Sequence, residues 1–230
     1  MYDVERKENR GLTPDKNVNR NIEGLSFTPT YNHLGEGYDD FDSFDGFPCD
    51  WSNGNPSVHF SECVSDKFEE IFIEMKSSCR AVFEIGVWRP KGSNDNSPFS
   101  TEIILRNKKN DTKYLGVDIQ DRSFVDGMGE NIHTIICNSM NRDPIYEKIK
   151  NENITEFDFM FIDGEHSVNE VLYEWENYVI PFLSKDGIAL FHDVHTHPGP
   201  YALFESVNKD IFDVKKYCYG DWGIGSIRRK

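Results

Sequence analysis

The chain has 230 residues and a mass of 26.7 kDa, enough for one domain of about 150 residues or more plus an appendage. It carries 25 Lys+Arg against 40 Asp+Glu, a net charge of −15 with a pI near 4.8. That field repels polyanions, so nucleic acid is not the expected partner. No run of about 18 apolar residues occurs, which argues against a membrane-spanning helix. The polar start MYDVERKENR lacks the apolar stretch of a signal peptide, so a cytoplasmic protein is expected.

The five cysteines (Cys49, Cys63, Cys79, Cys137 and Cys218) are odd in number, widely spaced and without a CxxC pair. Free thiols in a reducing compartment are expected, and a disulfide framework or zinc ribbon is not.

Residues 1–60 are rich in Asn, Asp, Gly and Pro and lack periodicity. They read as an irregular acidic extension or lid, packed by its aromatics on a domain at 61–230. The stretch GEGYDDFDSFDGFPCD (35–50) is acidic, but its DxD-like runs lack the glycine and distal glutamate spacing of a calcium loop.

From residue 61 the pattern becomes regular. Val64, Phe68, Ile71, Phe72 and Met75 recur at helical spacing, which predicts a helix over about 61–78. AVFEIGV (81–87) predicts a buried strand. STEIILRNKK (100–109) predicts a helix with Ser100 as its N-cap. Strands follow at 113–119 and 131–138, then a short helix at 143–151 and a strand at 157–163. Ser167 to Glu170 has capping-box spacing, and Val168, Val171, Leu172, Trp175, Tyr178, Val179 and Phe182 line the helix face behind it. A fifth strand is predicted at 187–194, a helix at 201–208, and two closing strands around a Gly-Asp turn. Alternating strands and helices imply an α/β domain with a mostly parallel sheet of seven strands, an antiparallel edge pair and helices on both faces.

Ligands of such sheets bind beyond the carboxyl ends of the strands. Gly86 ends the first strand, where a missing Cβ admits a ligand close to the backbone. No second glycine follows at the spacing of a dinucleotide fingerprint, which disfavours that cofactor class. Asp118 ends the second strand, placed either to accept from ribose hydroxyls or to serve as a turn residue. Asn138 and Ser139 end the third, near where an adenine edge would lie, although a simple turn also explains them. The fourth strand runs FDFMFI into Asp163, Glu165 and His166. The fifth runs IALF into His192, Asp193, His195 and His197. Two acidic strand ends side by side place carboxylates within reach of one divalent cation.

EIG (84–86), GVD (116–118), FIDGEH (161–166) and SKDGIALFHD (184–193) resemble the S-adenosylmethionine-dependent methyltransferases of the Rossmann-like superfamily. The likeness is to small metal-dependent O-methyltransferases of sugar and natural-product tailoring, and spans about 81–228. It implies a Rossmann-like methyltransferase fold and S-adenosyl-L-methionine as cofactor. Glu84, Gly86, Ser100, Asp118, Asn138, Ser139 and Asp163 are then the cofactor-site residues. Asp163, His192 and Asp193 are the implied ligands of Mg²⁺ or Mn²⁺, with the imidazole of His192 favouring a softer ion than Mg²⁺. Asp163 and His166 are the implied catalytic pair, His166 as base, with the adjacent helix N-terminus disfavouring its imidazolium and Glu165 opposing that effect. The expected acceptor is a hydroxyl of a sugar, glycan or small natural product, with a homo-oligomer left open. A metal-dependent hydrolase built on residues 192–197 and a non-catalytic binding module are the alternatives.

Overall fold

The computed structural model describes residues 21–29, 61–88, 98–164, 166–195, 197–219 and 222–230. The acidic run at 35–50, most of the loop after the first strand, Glu165 and the Gly-Asp turn lie outside the described residues.

Helix α1 (Glu62–Met75) starts where the Ser61 hydroxyl accepts the Val64 amide at 3.2 Å, with Glu62 at its positive end. It leads to β1 (Ala81–Ile85), α2 (Ser100–Asn107) and β2 (Lys113–Asp118). A 3₁₀ turn (Ser123–Met128) precedes β3 (Ile132–Ile136), α3 (Arg142–Asn151) and β4 (Phe157–Ile162). Helix α4 (Val168–Glu174) runs on through a π-turn (Trp175–Val179) and a last turn (Ile180–Phe182). It is followed by β5 (Leu183–His192), α5 (Pro198–Ser206), β6 (Phe212–Tyr217) and β7 (Ile224–Arg229).

The seven strands form one sheet in the order β3-β2-β1-β4-β5-β7-β6. The first five are parallel, and β7 pairs antiparallel with both β5 and β6. Strands β1, β4 and most of β5 are buried, as continuous apolar runs in a parallel sheet covered on both sides should be. Phe68 of α1 packs edge-on against Phe159 and Phe161 of β4 at 5.5 and 4.9 Å. On the opposite face Phe83 of β1 packs against Phe157 and Tyr178 at 5.0 and 5.5 Å. Chain order reverses between β1 and β4, so the crevice for a ligand opens at the carboxyl ends of these two strands.

Three sequence expectations need correction. Ser100 does not cap α2. Phe99 occupies the N-cap, Glu102 accepts its amide, and Ser100 begins the helix with its hydroxyl turned to Glu84. Strand β5 begins at Leu183, four residues early, because Ser184 is tied to the Asp158 carboxylate across a bulge whose Lys185 and Asp186 are exposed. The cysteines are not all free thiols, since Cys63 and Cys218 form a disulfide. It joins residues 155 apart in sequence, linking the first turn of α1 to the end of β6. Cys79 and Cys137 are free, and burial pushes the Cys79 thiol up to about 12, which keeps it inert.

The described part of the N-terminal extension, residues 21–29, docks on the domain through Ile22 and Leu25, which join its core. Leu25 bridges Val207, the Ser206 carbonyl accepts the Ser26 amide at 2.7 Å, and the Trp175 indole donates to Glu23.

Candidate functional site

Strands β4 and β5 are hydrogen-bonded neighbours, so Asp163 and His192–Asp193 emerge beside one another. The chain turns sharply at Asp193, which adopts a left-handed φ of +61° that few residue types tolerate. Its amide is held by the Gly223 carbonyl at 3.0 Å, and its carbonyl accepts the His197 amide at 3.1 Å. The result is a compact cluster. His192 Nδ1 lies 3.3 Å from Asp163 Oδ1 and 3.0 Å from Asp193 Oδ1. His166 Nε2 lies 2.7 Å from Asp193 Oδ2 and 4.0 Å from Asp163 Oδ1. His197 Nδ1 approaches the same Asp193 Oδ2 at 3.7 Å.

The side chains of Asp163, His192 and Asp193 are only 4, 3 and 2% exposed, so their charges persist only by offsetting one another. Burial alone would push the His166 imidazole down and Asp193 up. The mutual attraction wins. It raises His166 to about 9 and His192 to about 10, and holds Asp193 well below the usual carboxylate range. The charge of His166 is therefore set by Asp193 and Asp163, not by the nearby helix N-terminus. Ser167 caps that N-terminus, its Oγ accepting the Glu170 amide at 3.3 Å and donating to Glu170 Oε2 at 3.2 Å.

Two carboxylates and imidazoles with donor atoms within 4.8 Å of one another suit a divalent cation. Asp163, His192 and Asp193 form one such group. The string from 192 to 197 does not act as one unit, because His195 Nε2 meets the Tyr217 carbonyl at 3.1 Å and its ring stacks on Tyr219.

The other strand ends are organised differently. Gly86 has a φ of +88°, which glycine supplies without strain, and its amide donates to the Val117 carbonyl at 2.9 Å. Glu84 does not face outward from β1. It is fully buried and accepts from Ser100 Oγ at 2.5 Å, from Thr101 Oγ1 at 2.9 Å and from the Tyr114 hydroxyl. Burial nevertheless raises it to about 7. Asp118 Oδ1 accepts the Gln120 amide at 2.7 Å, while Oδ2 faces Arg122 Nε at 3.6 Å. Asn138 Oδ1 accepts the Met140 amide at 2.7 Å.

Ser139 donates to Glu174 Oε1 at 2.7 Å, and its carbonyl accepts the Tyr178 hydroxyl. Glu174 and Tyr178 both come from the α4 segment, so that segment holds the loop after β3 in place. Sequence reasoning missed Glu174, Thr101, Tyr114 and the reach of His197 to Asp193. Glu174 was detectable as an acid within the apolar run VLYEW. The others were not.

Residues 97–194 match the family model described as Methyltransferase domain. The sheet order and this match within it give the chain a Rossmann-like methyltransferase fold. Among solved structures the chain is similar to the methyltransferase MycE of the mycinamycin biosynthetic pathway in complex with Mg and SAH. That likeness has 16% identity and a TM-score of 0.51 over 71% of this chain and 48% of that one. It is similar to the TDP-rhamnose 3'-O-methyltransferase of calicheamicin biosynthesis, with 12% identity and a TM-score of 0.53 over 77 and 85% of the two chains. It is similar too to the O-methyltransferase TomG from Streptomyces achromogenes in complex with SAM, with 11% identity and a TM-score of 0.50 over 78 and 86%. At these identities the likeness is one of fold. The chain spans about half the length of the mycinamycin-pathway structures. No curated protein matches the sequence. No helix among the described residues is long and apolar enough to cross a membrane.

Proposed function

We propose that the protein is a divalent-metal-assisted O-methyltransferase that moves the methyl group of S-adenosylmethionine to a hydroxyl of a sugar, glycan or small natural product. The observation that carries this reading is the convergence of Asp163, His192 and Asp193 on one point beside His166, at the ends of β4 and β5 of a methyltransferase domain. The fold relatives support it. One of them holds Mg and SAH, and another is a TDP-rhamnose O-methyltransferase.

The sulfonium methyl is already activated, so the protein must align donor and acceptor and remove the hydroxyl proton. Asp163, His192 and Asp193 would hold the cation. When bound, that ion supplies positive charge that lowers the hydroxyl's pKa and offsets the carboxylate field on His166. His166 takes the proton at its imidazole. Gly86 leaves room for the methionine end of the cofactor beside β1. Glu84 acts there through Ser100 and Thr101, whose hydroxyls it orients. Asp118 receives the ribose hydroxyls on the carboxylate that Gln120 and Arg122 already fix. The loop at Asn138 and Ser139 borders adenine, stiffened from behind by Glu174 and Tyr178.

The hydrolase alternative is disfavoured because His195 is turned to the edge hairpin. The test is calorimetry with S-adenosylhomocysteine, followed by methyl transfer from labelled S-adenosylmethionine to a panel of glycosides and phenols. Binding is expected, with turnover abolished by EDTA and restored by Mg²⁺ or Mn²⁺. Failure to bind S-adenosylhomocysteine overturns the reading. Binding without transfer to any acceptor supports a non-catalytic module instead.

A further inference from the structure

The Asp193 carboxylate has two oxygens, and they serve different neighbours. Oδ1 faces His192 and the Asp163 side. Oδ2 faces His166 at 2.7 Å and His197 at 3.7 Å. His166, Asp193 and His197 thus form a second group whose donor atoms lie within 4.8 Å of one another. Ligand atoms about 2.0–2.1 Å from a tetrahedral ion sit roughly 3.3 Å apart. The two observed separations bracket that value.

The scaffold around this group is built closely. The imidazoles of His166 and His197 stack with centroids 4.1 Å apart, and Trp222 backs His197 at 5.2 Å. The first turn of α5 crosses the backbone that carries His166 at Gly199, whose amide donates to the His166 carbonyl at 2.8 Å. A Cβ at Gly199 would lie 2.6 Å from that carbonyl oxygen, so only glycine lets the two histidines come this close. The donor set is one carboxylate and two imidazoles. It is richer in nitrogen than the Asp163, His192 and Asp193 set, which favours a borderline transition metal over Mg²⁺.

We propose that His166, His197 and Oδ2 of Asp193 form a second site, for a borderline transition-metal ion such as Zn²⁺ or Co²⁺, and that filling it inhibits the protein. Asp193 bridges the two sites. Occupancy turns His166 from proton acceptor into ligand, so an ion there blocks the chemistry that one at Asp163 assists. The inhibitory consequence rests on the proposed methyl transfer. The binding does not.

The experiment is equilibrium dialysis of the metal-stripped full chain against Co²⁺, with bound metal counted and visible absorption recorded. His197→Ala is expected to bind one equivalent fewer than wild type and to lose the associated bands, while Asp163→Asn keeps that equivalent. His197→Gln, which preserves side-chain volume and hydrogen bonding, guards against a folding defect and should lose the same equivalent with its thermal transition intact. A His197→Ala protein that binds as much Co²⁺ as wild type overturns the proposal. So does a single equivalent lost alike in His197→Ala and Asp163→Asn, which marks one shared site. In turnover assays with saturating Mg²⁺, micromolar Zn²⁺ should inhibit wild type at least tenfold and His197→Ala far less. Equal inhibition of both overturns the inhibitory half. A chain that transfers no methyl group breaks the functional reading alone, and the Co²⁺ count still decides this one.

Discussion

The strand ends on the two sides of the β1–β4 crevice solve the problem of polar residues in opposite ways. Beyond β1, β2 and β3, each polar side chain is satisfied by neighbours that hold it still. Asp118 and Asn138 bind amides two residues on, Ser139 is held by Glu174, and Glu84 by three hydroxyls. Beyond β4 and β5 the side chains turn to one another, and buried charges of both signs share one small volume. The first side is a shaped, settled rim suited to binding. The second is held together by electrostatics that an ion, a proton or a substitution would redistribute.

That contrast predicts where damage is greatest. Asp193→Ala should do the most. It strands His166 and His192 without the carboxylate between them, and losing one partner of a buried pair costs about 3–5 kcal/mol. Denaturant unfolding of the metal-stripped protein should show that loss, and an unchanged midpoint would mean that the cluster is not electrostatically coupled. His166→Gln should lower turnover by roughly 10²–10⁴-fold, because an amide keeps hydrogen bonding but takes no proton. Its affinity for S-adenosylhomocysteine should stay near wild type. Retention of more than about a third of turnover per folded molecule would make His166 structural.

On the settled side the effects are smaller. Glu84 has a folded pKa raised to about 7 by burial. Its contribution is therefore fully present below its unfolded value and is lost as pH rises through about 7. Stability should fall by an order of 3 kcal/mol between about pH 4.5 and 7 from this group. Glu84→Gln should flatten that slope in urea titrations across the range, and an identical slope in the variant would remove Glu84 as its source. The smallest effect is expected for Asp118→Ala, at least about tenfold in S-adenosylhomocysteine affinity by calorimetry, or about 1.4 kcal/mol. An unchanged affinity in a folded variant would mean that Asp118 serves only its own turn.

The same two regions differ in how far they can be read from the chain alone. The main strands and helices were legible in the chain, because apolar periodicity and strand-length apolar runs are local signals. The chain also placed Asp163 and His192–Asp193 side by side, since right-handed βαβ connections put β4 next to β5. The Ser167 cap and the antiparallel edge pair were legible for the same reason. Which polar atoms meet depends on how the elements pack. Glu84 is met by Ser100 and Thr101 because α2 lies over β1, a packing relation that no spacing encodes. Cys63 pairs with Cys218 because the edge hairpin closes against α1, although 155 residues separate them. His197 reaches Asp193 because that residue's left-handed backbone turns the chain back on itself. Within one element, spacing fixes which residues share a face. Between elements, side-chain direction and close packing fix which atoms come within hydrogen-bond distance, and these emerge only once the whole sheet has been assembled.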